Sequence, residues 1–256
     1  MSRGRYVRMA VRALVGALFA LALAAPGARA EPAAIGSTAQ AQNDVVRELN
    51  GASAALATGD SVFLNEVVKT GSDSRAKFVF VDSTNLAVGP VSRVTLDRFV
   101  YDADPSAQKV TVNLAKGLFR FTTGGLDKKA YTINTPTAAI GVRGTILDIK
   151  VGGDTRVTLI EGKAIVCARK SGVSFADQIR ACGKALAGGS RKGGHCDCVE
   201  LNDSGQTALA KKGDVGQSST PVDLAALCSS DSSLCSSTSY ASNGFGPSGG
   251  GALCGR

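Results

Sequence analysis

Two short runs hold residue types capable of chemistry. The first is "GVRG", Gly141 to Gly144, a Gly-x-x-Gly loop with Arg143 inside it. Such loops clamp nucleic-acid backbones between two helices, or cradle phosphates where a strand runs into a helix N-terminus. Here Gly144 leads into "TILDIKV", which alternates like a strand, so no helix dipole faces an anion. Gly141 and Gly144 therefore read as backbone positions that need glycine. Arg143 reads as an internal partner for Asp148 or a more distant carboxylate, spending its remaining donors on loop carbonyls. The second run is "HCDC", His195 to Cys198. His195, Cys196 and Cys198, with Cys182, make a candidate zinc set, but the Cys-x-Cys spacing is shorter than the usual C-x2-4-C. Disulfides are the expected state, and no metal or cofactor is assigned.

Catalysis needs a reactive group beside a tuned partner. No histidine or cysteine precedes Cys167, so a Ser–His or Cys–His pair would have to borrow His195 from the distal segment. Asp82, Asp97, Asp102, Asp148 and Glu161 read as strand faces or turn caps. The chain is not expected to be an enzyme.

The N-terminus sets the compartment. Arg3, Arg5, Arg8 and Arg12 precede an apolar run from Ala13 to Ala25, and "ARA" at Ala28–Ala30 offers a small-residue cleavage site. That run is shorter than the roughly 20 residues a spanning helix needs. Residues 1–30 are expected to be a cleaved secretory leader, and no transmembrane segment is expected in the mature chain. The product is expected to be exported: periplasmic, secreted or on the cell surface. The formal charge of +8 is then largely a property of the leader, because five of the 29 Lys and Arg leave with it and 24 face 21 Asp and Glu. This is no nucleic-acid footprint.

The candidate residues must be positioned by the elements around them. From 31 to 168 the chain reads as all β. "SVFLNEVV" (61–68), "RAKFVFVD" (75–82), "RVTLDRFV" (93–100), "KVTVNLA" (109–115), "LFRFTT" (118–123), "TILDIKV" (145–151), "RVTLI" (156–160) and "KAIVCA" (163–168) alternate with period two. "VTVNLAKGLFRF" and "VTLIEGKAIV" form a weak repeat, in which the glycine reads as a tight turn between two strands. Stacked coils would give a solenoid or rolled sheet, and plain hairpins a sandwich or barrel. From 169 to 256 the chain holds 15 of the 31 glycines and reads as a loosely packed, cysteine-stapled appendage with one or two short helices, "SFADQIRACGKALAG" and "TPVDLAALC". All seven cysteines, Cys167, Cys182, Cys196, Cys198, Cys228, Cys235 and Cys254, fall in the last third and are disulfide candidates. Cys228 and Cys235 are placed to close a local loop, and the remaining connectivity stays open.

Several spaced motifs resemble FecR domains over about residues 34–168. They are the stretch "ATGDSVFLNEVVKTGSDSRAKFVFVDSTNLAVGPVSRVTLDRFVYD", then "NLAKGLFRFTTG", "YTINTPTAAIGVRGTILDIKV" and "VTLIEGKAIV". The resemblance implies a β-solenoid-like periplasmic domain. In iron-uptake regulators that domain receives a signal from an outer-membrane transporter, and an attached helical domain controls a sigma factor. It also implies that Gly141, Arg143, Gly144 and Thr145 are fold-defining. The expected function is a non-enzymatic binding or signal-receiving module of the cell envelope, contacting an unidentified protein or glycan and no nucleic acid. The alternative is a structural envelope component cross-linked through its cysteines.

Overall fold

A computed structural model describes residues 33–100, 108–126, 131–175, 177–178, 197–228 and 232–236. The expected leader lies outside these residues, as do Asp102, Cys182, His195, Cys196 and Cys254.

The strands are β1 (Ala34–Gln42), β2 (Val45–Leu49), β3 (Ala52–Ala55), β4 (Ser61–Phe63), β5 (Val67–Thr70), β6 (Arg75–Phe80), β7 (Asn85–Val88) and β8 (Arg93–Val100). They continue with β9 (Lys109–Thr122), β10 (Tyr131–Asn134), β11 (Ala138–Val151), β12 (Thr155–Ala168), β13 (Cys198–Leu201), β14 (Thr207–Lys211) and β15 (Asp214–Ser218). All belong to one open sheet. Its main path runs β15-β14-β12-β11-β10-β9-β7-β6-β1-β4, while β8, β5, β2 and β3 branch from β9, and β13 lies against β12. Among the described ladders only β9 with β10 is parallel.

Three strands of 14 residues, β9, β11 and β12, carry the architecture. Each slips phase once. In β9 the core-facing residues are Val110, Val112 and Leu114, then Phe119 and Phe121. In β11 they are Ile140 and Val142, then Leu147, Ile149 and Val151; in β12 Val157 and Leu159, then Ala164 and Val166. A strict period of two would turn the second half of each strand to the other face. The slip coincides with a glycine at positive φ: Gly117 (φ 119°), Gly144 (φ 60°) and Gly162 (φ 85°). These are bulges, which insert a residue, bend the strand and keep one face on the core.

This corrects the sequence expectation at two places. Gly117 and Gly162 do supply positive φ, but they kink continuous strands and do not separate hairpin strands. Residues 109–115 and 118–123 are thus one strand, as are 156–160 and 163–168. Conversely, 61–68 divides into β4 and β5 around Asn65, itself at φ 62°.

Beyond 168 the helical turn expected after Ser174 is present at its start. The Ser174 hydroxyl accepts from the Asp177 N–H at 3.1 Å and donates to its carboxylate at 2.6 Å. The second expected helix is α1 (Ala225–Cys228), followed by a 3-10 turn at Ser232–Cys235. The segment also contains three strands the sequence reading did not anticipate. β13 and β14 pair with β12, β15 extends the sheet, and Leu201, Ala208 and Ala210 join the main core. Among the described residues no helix is long and apolar enough to cross a membrane.

Candidate functional site

The Gly141–Thr145 run lies inside β11, and each of its residues has a distinct task. Opposite it on β12, Arg143 pairs with Lys163 and Ile146 with Glu161, so Gly144 and Thr145 together face Gly162. A Cβ on Gly162 would sit 1.9 Å from the Gly144 carbonyl oxygen, so the two backbones touch where a side chain would otherwise stand. Thr145 ties the bulge shut. Its hydroxyl donates to the Lys163 carbonyl at 2.7 Å and accepts the Arg143 N–H at 2.8 Å. Its own N–H donates to the Thr123 hydroxyl at 2.8 Å. Gly141 leaves room for a ring: a Cβ there would meet Phe175 at 3.1 Å.

Arg143 departs from expectation. It is exposed, and among the described residues its guanidinium has no hydrogen bond or ion pair. The anticipated partner, Asp148, is taken by Arg120, whose Nε and Nη2 donate to the two carboxylate oxygens at 2.7 and 2.9 Å. The cause is register. Asp148 stands directly opposite Arg120 on β9, where a planar guanidinium meets a carboxylate fork to fork. Arg143 stands opposite Lys163, an exposed cation.

Of the other candidate acids, Asp82 holds local structure. Asp82 accepts from the Thr84 hydroxyl at 2.6 Å and the Tyr131 hydroxyl at 2.8 Å, clasping the β6–β7 turn. Burial, with the Asp82 charge beside it, pushes the Tyr131 phenol up to about 12. Two disulfides are present among the described cysteines. Cys167–Cys198 joins β12 to β13 at directly opposed positions, and Cys228–Cys235 closes the local loop expected of that pair.

The structure also assembles a feature that no local motif announces. On the sheet face away from the main core, ladder register aligns Gln40 with Lys77, Lys77 with Ala87, and Ala87 with Arg120. The same row continues from Arg120 to Asp148 and from Asp148 to Thr158. One transverse line of side chains thus crosses β1, β6, β7, β9, β11 and β12. The C-terminal segment, residues 219–228 and 232–236, lies over it. The Lys77 ammonium donates to the Ser233 carbonyl at 2.8 Å and to that of Ser236, and Arg120 Nη1 donates to Cys235 at 3.4 Å. Arg75, beside the row, donates from Nε to the Ala226 carbonyl at 2.8 Å. The Val222 N–H donates to the Thr158 hydroxyl at 2.8 Å, and the Ser233 hydroxyl donates to the Gln40 side-chain oxygen at 3.2 Å. Val222, Leu224, Leu227 and Leu234 pack on Ala87 and Leu118 as a second, smaller core.

Under this strap Lys77 and Asp148 are each 3% exposed. Burial holds the Asp148 carboxyl above its ordinary value, although the Arg120 guanidinium pulls the other way. In the sequence, the available sign was that Lys77 and Arg120 interrupt strands otherwise rich in Phe and Val. That sign names no partner, because the covering residues lie over a hundred positions away.

No curated protein matches the chain. Two solved structures from Parabacteroides distasonis ATCC 8503, provisionally described as an anti-sigma factor, align with 66% of it at 11% and 10% identity. Their TM-scores are 0.41 and 0.42, and the alignments span 64% and 63% of those chains. Residues 66–164, from the turn before β5 to the middle of β12 and including the whole Gly141–Thr145 bulge, match the family model described as FecR protein.

Proposed function

We propose that this chain is an exported, non-enzymatic binding module that receives a signal or a ligand in the cell envelope. The observation that carries the reading is the FecR match over residues 66–164. Two further features support it. Disulfides persist in oxidising compartments, and two are formed here, which fits export behind the leader-like N-terminus. The best-buried acids, Asp148 and Glu66, are occupied with Arg120 and with the Phe63 N–H, a structural duty that suits a scaffold. Arg143 is held outward by a bulge pinned through Thr145, so the Gly-x-x-Gly run presents one cation on a rigid strand.

The test has two parts. Residues 1–40 fused to a phosphatase that is active only outside the cytoplasm should give phosphatase activity. Immobilised chain should then retain an envelope protein or glycan from a periplasmic extract that an unfolded Gly162→Val control does not. An inactive fusion refutes export. Identical retention by both chains refutes binding by the folded module.

A further inference from the structure

We infer that the transverse row is a docking groove for an acidic, leucine-bearing peptide, and that the chain's own C-terminal strap fills the groove while Cys228–Cys235 is oxidised. Three observations carry this. First, the strap joins the sheet by no ladder. It is held by side chains that reach its backbone carbonyls, from Arg75, Lys77 and Arg120, and by the Val222 N–H bond to Thr158. Such contacts recognise a peptide main chain and would accept another one in its place. Second, the charges match. Arg75, Lys77 and Arg120 outnumber the single acid Asp148 on this part of the face, while the described strap residues, 219–228 and 232–236, carry one acid, Asp223, and no Lys or Arg. Third, the carbonyls bound by these cations lie in α1 and in the 3-10 turn with its following residue, the two short pieces that Cys228–Cys235 ties together. Cations favour the carbonyl ends of helical turns. The disulfide therefore fixes the shape that fits the groove.

Release follows ordinary thiol–disulfide exchange. A dithiol reductant attacks one sulfur of Cys228–Cys235 as its thiolate, forming a mixed disulfide and freeing the other cysteine. Its second thiol then resolves the mixed disulfide. The reductant leaves as its own disulfide, and Cys228 and Cys235 remain as two thiols. Opening a ring of this size restores loop entropy worth roughly a 50-fold shift toward the uncovered groove. The Cys167–Cys198 bridge links β12 and β13, which stay paired through their ladder, so its state does not free the strap. A partner supplying an acidic segment with Val or Leu anchors then takes the place of Val222, Leu224, Leu227 and Leu234.

The inference rests on the binding-module reading, but the two fail separately. The experiment uses the full chain carrying Cys228→Ser and Cys235→Ser under oxidising conditions. Its probe is a fluorescein-labelled, cyclised peptide of residues 219–236. Amide exchange at Val222, Leu227 and Cys228 of the unmodified chain should be slow, and at positions 222 and 227 of the double variant about 50-fold faster. The probe should bind the double variant and be excluded from the oxidised wild type, with binding weakened at least about tenfold by Lys77→Gln and restored by Lys77→Arg. Should the variant misfold, wild type treated with a dithiol gives the same two readings. Equal exchange in both states, or probe binding to both or to neither, overturns the groove even where an envelope partner is captured. Probe binding as described, with no envelope partner captured, leaves the groove standing and refutes only the wider function.

Discussion

Placing a methyl on Gly162 puts a carbon 1.9 Å from the Gly144 carbonyl oxygen, well inside any tolerable contact. The residue also sits at φ 85°, where an L side chain costs about 1–2 kcal/mol. To relieve the clash β11 and β12 must part by more than about 1 Å at the bulge, which strains the Thr145–Lys163 bond and its ladder neighbours at about 1 kcal/mol each. Gly162→Ala should therefore cost about 3–5 kcal/mol, the range reached when backbone strain and packing fail together. Gly144 is the internal control. It has φ 60° but nothing within 4 Å of its absent Cβ, so Gly144→Ala should cost only about 1–2 kcal/mol. With a denaturant slope of about 2 kcal/mol per molar urea, the midpoints should fall by about 2 M and about 0.7 M respectively. Urea unfolding followed by circular dichroism reads both. Equal losses, or a larger loss at Gly144, would refute the close backbone approach that distinguishes a kinked strand from a hairpin turn.

Val91 is a β-branched residue at φ 53° and is 52% exposed, so Val91→Gly should raise stability by about 1 kcal/mol in the same assay. Arg120→Met leaves the Asp148 carboxyl buried without its partner and should cost about 3–5 kcal/mol, while adding Asp148→Leu should recover most of that loss. The pH profile has a definite sign. Burial raises the carboxyls of both Asp148 and Glu66, the latter fully buried with only a 3.6 Å approach from Arg47 to its Oε1. A raised folded value means the native state holds protons more tightly than the unfolded chain. The contribution of these two groups is therefore whole below the ordinary carboxylate range and is lost as pH climbs through their raised values. Asp148→Asn and Glu66→Gln should each flatten the fall of the urea midpoint over that window, and an unchanged slope would count against the burial argument.

What the sequence discloses here depends on distance. β8 is read at its true bounds, Arg93 to Val100, although its phase also slips between Leu96 and Phe99, because no glycine stands at the slip to mimic a turn. β9, β11 and β12 look like pairs of strands because a phase slip at glycine mimics a turn when only neighbours are considered. Their continuity shows only through ladders to other strands, such as Gly117 with Val151. The Arg143–Asp148 expectation fails for the same reason: five residues apart seems close, yet Arg120, 28 residues away, is the neighbour across the sheet. The strap was the hardest to see. Val222, Leu224, Leu227 and Leu234 are scattered among serines, and their burial needs a face built from residues 40 to 158. The Cys228–Cys235 closure was legible because the partners sit seven residues apart.

Amide hydrogen exchange across residues 138–168 examines the central account most directly, since it asks whether the "GVRGT" run is sheet or loop. The Arg143 N–H is bound to the Thr145 hydroxyl and the Thr145 N–H to the Thr123 hydroxyl. Both amides should exchange as slowly as that of Ile149 in the ladder core. Exchange at loop rates for Arg143 and Thr145, with protection resuming only at Leu147, would contradict the continuous kinked strand and return the motif to a free, ligand-seeking loop.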